Sequence, residues 1–128
     1  MPRVFKATEI EKEEKEVMRD YLDRHMPHVI CKDEITPGEK FSVKIRLGDK
    51  YPHPDEHDHF ISVLQLWNRE TLLAEARYTA GALGNKPAHT EVEFYIVAPD
   101  VSMNLSAMAV CTKHGLWQSE DKAVKVIH

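Results

Sequence analysis

Imidazole and thiol groups carry most of the chemistry this chain offers. Three of its eight histidines, His53, His57 and His59, fall within residues 51–61, and Cys111, one of two cysteines, is followed three positions later by His114. The stretch Tyr51, Pro52, His53, Pro54 cannot be regular sheet, because two prolines remove ladder donors. It reads as a stiff loop running into a strand, which is a way of holding imidazoles still. In the run from Cys111 to Gly115, two intervening residues let a tight turn aim a thiolate and an imidazole at one ion, and Gly115 admits the backbone angles such a turn needs. One thiolate with imidazoles is a borderline-soft donor set that favours iron, copper or zinc over calcium or magnesium. A closed tetrahedron around zinc makes a zinc-stabilised β-sandwich binding module. A cupredoxin-like electron carrier commonly has a Met shortly after its second His, and no Met follows His114. Cys31 reads as a small buried hydrophobe.

The elements that position these groups are legible in the hydrophobic pattern. Ile10, Val17, Met18, Tyr21 and Leu22 share one face of an amphipathic helix that opens near Thr8, where Thr8 and Glu11 form a capping box. Pro27 stops any helix a residue or two earlier, and the pattern predicts an end near Leu22. Beyond Pro27 the period changes to two. Phe41, Val43, Ile45 and Leu47 alternate with Ser42, Lys44 and Arg46 behind the turn Thr36, Pro37, Gly38. Similar runs at about 28–32, 59–67, 71–79, 90–97, 103–111 and 122–127 bring the total to about seven strands. The expectation is a mainly β chain, an immunoglobulin-like antiparallel β-sandwich with an N-terminal α-helix.

A length of 128 residues suits a single domain, 1–128, with residues 1–24 as its helical extension. Seventeen Lys and Arg against twenty-one Asp and Glu leave a formal charge of −4, which argues against nucleic acid as a partner. The longest uncharged run, residues 101–112, is far short of the roughly 20 apolar residues of a membrane-spanning helix. With no apolar leader at the start and too few cysteines for a disulfide framework, a cytoplasmic location is expected.

Taken together, Pro52-His53-Pro54 with His59 six positions after His53, and the C-terminal Cys111-Thr112-Lys113-His114-Gly115-Leu116-Trp117, resemble the superoxide reductases of the neelaredoxin and desulfoferrodoxin family. His53 and His59 match two iron-binding histidines of that family, and Cys111 and His114 match the axial thiolate and another equatorial imidazole. Asp23-Arg24-His25-Met26-Pro27 matches the segment that carries the fourth histidine, making His25 the ligand, with His28 as its substitute; His57 falls between matched positions. The resemblance implies one iron held by four imidazoles and a thiolate, with the sixth position open. There superoxide takes up one electron and two protons and leaves as hydrogen peroxide. Electron donation from Cys111 would favour release of that product. It also implies an external electron donor such as a rubredoxin-like protein, and a homotetramer. The family's glutamate and lysine beside the N-terminal ligand stand here as Asp23 and Arg24. By resemblance Asp23 closes the open position in the oxidised state and Arg24 holds the incoming anion, although arginine does not readily give up a proton. Arg24, Lys50 and Lys113, all close in sequence to the matched ligands, would draw an anion inward despite the acidic whole.

Overall fold

The computed structural model describes residues 19–128, and the predicted helix opening and capping box at Thr8 and Glu11 lie outside the described residues. Helix α1 covers Arg19–His25, so it runs past Leu22, where the pattern placed its end. Pro27 restricts only the residue immediately before it, and nothing earlier breaks the helix. Asp23, Arg24 and His25 are therefore helical, and the amide of Met26 closes the last turn on the Asp23 carbonyl at 3.1 Å.

Nine strands follow: β1 (Pro27–Ile30), β2 (Glu34–Ile35), β3 (Lys40–Leu47), β4 (Ile61–Asn68), β5 (Thr71–Arg77), β6 (Glu91–Val97), β7 (Met103–Cys111), β8 (Gly115–Gln118) and β9 (Lys122–Val126). The count exceeds the expected seven because β2 and β8, of two and four residues, are too short to show a period of two. Pairing with a neighbour creates them: β8 folds back on β7, Cys111 opposite Gly115, and β2 lies parallel to β9. One sheet has the order β1-β3-β6 and the other β2-β9-β7-β4-β5, with β8 also on β7.

The two sheets face each other across one core. Phe41, Val43, Ile45 and Leu47 of β3 meet Leu64 and Leu66 of β4, Leu105, Ala107, Ala109 and Cys111 of β7, and Val124 of β9. The alternation that sends 105, 107 and 109 inward also sends 111 inward, so strand period alone puts the Cys111 thiol at the edge of the core rather than in solvent. Among the described residues no helix is long and apolar enough to cross a membrane.

Leu66 is fully buried in this cluster. Leu66→Ala is expected to destabilise the metal-free protein by about 2–5 kcal/mol, read as a lower urea midpoint with an unchanged slope.

Candidate metal centre

Three segments deliver side chains to one end of the sandwich. Cys111 ends β7, a turn covers residues 112–114, and Gly115, at φ 83°, starts the return strand. Within that turn the amide of His114 donates to Cys111 Sγ at 3.3 Å. His25 sits at the last residue of α1, and the helix is seated there by Leu22 packing on Trp117, with Tyr21 and Met26 at the margin. The Trp117 indole stacks on the His25 ring, centroids 4.9 Å apart and planes 15° apart, while its Nε1–H donates to the His114 carbonyl at 3.1 Å. One buried aromatic thus orients a helix histidine and a turn histidine together.

The third segment is the proline-rich loop. His53 exchanges two backbone hydrogen bonds with Ala88, each 3.0 Å. Buried Asp55 accepts the amides of Leu83 and Asn85 at 2.9 and 3.0 Å, tying the loop to the chain that passes beside it. Glu56 and His59 pair across a tight turn, which leaves His57 exposed at its tip and turns His59 inward. The sequence spacing could not tell His57 from its neighbours; this turn does.

Four imidazoles close a ring. Centroids of His25 and His53 lie 5.0 Å apart, His53 and His59 4.8 Å, His59 and His114 4.9 Å, and His114 and His25 5.0 Å, with every adjacent pair of planes between 78° and 83° apart. His25 Nε2 faces His114 Nδ1 at 3.2 Å, and Cys111 Sγ lies 3.3 Å from His53 Nε2 and 3.7 Å from His114 Nδ1. Donor atoms of His25, His59, Cys111 and His114 are all within 4.8 Å of one another. His53 joins them from the side of the ring opposite His114 and is tied to the set through the sulfur. A first-row metal about 2.1 Å from nitrogen and about 2.3 Å from sulfur holds donors at right angles about 3.0 Å apart, close to the spacings found here.

Protonation favours the same reading. Nδ1–H of His25 donates to the Tyr21 carbonyl at 2.6 Å and Nδ1–H of His53 to the Pro54 carbonyl at 2.7 Å, so each ring turns a lone pair on Nε2 to the centre. Burial is the main force pushing both pKa values down to about 4, with neighbouring histidines and Arg24 adding to it. His59 is lowered as well, by burial and then by the charges of His114 and Lys113, and its buried Nε2 has no hydrogen-bond partner among the described residues. His25 and His53 thus turn Nε2 lone pairs towards a shared centre, an arrangement a cation satisfies. Burial raises the Cys111 thiol, opposed by hydrogen bonds from the Lys113 and His114 amides and by the Lys113 charge. Metal binding would therefore expel a proton from sulfur.

The other candidates lie around this ring. Arg24 points back along its helix to Asp20, with Nε on the Asp20 carbonyl at 3.1 Å and a guanidinium nitrogen 3.6 Å from its carboxylate, yet its charge is felt at both His25 and His53. The Asp23 carboxylate faces the backbone of residues 49–51 and accepts from all three amides. His28 is on β1, outside the set of converging donors. Sequence reasoning did not single out Tyr21, whose ring touches His25, His114 and Trp117 edge-on or tilted, or Asp55. Tyr21 precedes His25 by one helical turn, the only signal that could have marked it.

The desulfoferrodoxin family model matches residues 9–120. A Methanocaldococcus jannaschii protein provisionally named a superoxide reductase is 34% identical over 104 residues, covering 79% of this chain and 83% of that one. The superoxide reductase of Pyrococcus furiosus is 27% identical over 110 residues, covering 77% and 86%. Among solved structures, the superoxide reductase (neelaredoxin) of Ignicoccus hospitalis superposes with a TM-score of 0.73 at 23% identity over 97% of this chain and 95% of that one, a likeness of fold.

Because the folded pKa values of His25 and His53 lie near 4, below the usual 6.5, unfolding takes up protons between those limits. The metal-free protein is expected to be most stable above pH 6.5 and to lose stability as pH falls towards 4, measured by chemical denaturation at a series of pH values.

Proposed function

The chain belongs to the desulfoferrodoxin family, and on that premise we propose that it is a superoxide reductase, reducing superoxide to hydrogen peroxide at one non-haem iron held by His25, His53, His59, His114 and Cys111. The observation that carries the reading is the ring of four imidazoles with the Cys111 sulfur beside it. Five converging donors exceed the four of a closed zinc tetrahedron. The chemistry iron supplies in such a site is a one-electron couple between its ferrous and ferric states.

What the chain's own residues do follows from their surroundings. The Tyr21 and Pro54 carbonyls hold the His25 and His53 rings in one tautomer and raise the basicity of the inward nitrogens. Amide hydrogen bonds and Lys113 favour negative charge on Cys111 sulfur against the burial that raises its pKa, so the thiolate would be completed by a bound cation. Arg24, beside His25 and His53, and Lys113, beside His59 and Cys111, place positive charge on two flanks and attract a small anion. Superoxide gains one electron and two protons to become hydrogen peroxide. The protons come from solvent, because an arginine keeps its own. An external one-electron donor, such as a rubredoxin-like protein, restores the reduced state.

Mixing superoxide with the reduced, iron-loaded protein is expected to yield one hydrogen peroxide per superoxide consumed and no dioxygen. Dioxygen at half the superoxide consumed would assign dismutation instead, and no peroxide would remove the reading. Cys111→Ser is expected to weaken iron binding by at least about tenfold, the lower end of what removing even an outer partner of a ligand costs, measured by competition with a chelator.

A further inference from the structure

We propose that Asp23 is a positioning residue that sets the separation of two metal-site histidines by clamping the loop that carries one to the helix that carries the other. The Asp49 amide lies 3.2 Å from each carboxylate oxygen, and the Lys50 and Tyr51 amides donate to Oδ2 at 3.0 and 2.8 Å. Three consecutive amides converging on one anion form a nest, a concavity suited to a negative group. The turn is fixed from its other side too. The Gly48 amide donates to the Met26 carbonyl at 2.9 Å, one residue beyond α1. Gly48 has a φ of +76°, and a Cβ there would come within 2.7 Å of the Tyr51 carbonyl oxygen and 3.3 Å of the Asp23 carbonyl oxygen. The loop and the helix end touch backbone to backbone, with no space for a side chain between them.

Placement gives the clamp its consequence. Asp23 is two residues before His25, and Tyr51, which makes the shortest of these bonds, is two residues before His53. Those two rings stand edge to face at 5.0 Å, and His53 Nε2 is 3.3 Å from Cys111 Sγ. Releasing the loop moves one donor relative to the others without altering any ligand. A carboxylate so engaged gives up bonds to three backbone donors, one of them half-buried, when it leaves, which weighs against the role of closing an open coordination position. The inference rests on the metal-site reading and not on the reaction performed there.

The test uses Co(II) as probe with Asp23→Asn, which keeps size but removes the charge and one of the two accepting oxygens, and Gly48→Ala, which strains the same turn while leaving the carboxylate intact. Both are expected to raise amide hydrogen exchange at Asp49, Lys50 and Tyr51 by about tenfold or more. Both should also raise the Co(II) dissociation constant by about 10- to 100-fold and change the Co(II) absorption bands. Asp23→Glu, which keeps the charge, should recover part of each loss. Unchanged exchange and Co(II) affinity in Asp23→Asn would overturn the proposal. So would weaker Co(II) binding with residues 49–51 still protected, which assigns the carboxylate to the metal itself. If Asp23→Asn does not fold, Gly48→Ala decides by the same readings. An iron-loaded parent that makes no peroxide would refute the reaction while leaving these results to stand.

Discussion

His25 Nε2 and His114 Nδ1 point at each other across 3.2 Å, on rings that burial and mutual repulsion hold uncharged in the first case and that close a four-membered ring with His53 and His59. Imidazoles and a thiol gathered at one end of the sandwich, His25, His53 and Cys111 fully buried, give up much of their solvation, a local cost that the rest of the molecule must impose and that a cation, accepting their lone pairs, offsets. Most of the polar structure at this end of the sandwich can be understood as the means of imposing it.

Those means act through backbone more than through side-chain ion pairs. Asp55 holds residues 83–85, Asp23 holds residues 49–51, and the His25 and His53 rings are fixed by main-chain carbonyls. Amides and carbonyls have little freedom once the chain is placed, so hydrogen bonds to them transmit position accurately. Surface pairs such as Lys32 with Glu39 lie away from this end and contribute little by comparison. Trp117 adds the apolar part of the same device, joining the helix to the turn after β7 with one ring.

Much of this could be read from the chain. Strand β3 announced itself by alternation because it has one buried face, and β7 by an apolar run that is buried on both faces from Leu105 to Ala109. The loop of His53, His57 and His59 and the Cys111–His114 turn stood out because proline and glycine mark where regular pairing ends, but choosing His53 and His59 over His57 needed the family resemblance. His25 needed the family resemblance, since a lone histidine on a helix has no local signature. The helix end was misjudged because Pro27 constrains only Met26, and β8 was missed because four residues show no period. The acceptors of Asp23 and Asp55 were beyond reach for a different reason: they are amides 26 to 30 residues away, identified by tertiary approach and by no feature of side-chain type.

The donors arise from a helix end, a loop and a strand end, and β7, which carries Cys111, is paired with β4 on one side and with β8 and β9 on the other. Cys111 and His114 are neighbours along the chain, but the full set gathers only when distant stretches pair, which is the slow step of a β topology. The complete donor set exists only in the folded chain, so affinity for the ion and integrity of the strand register become one property.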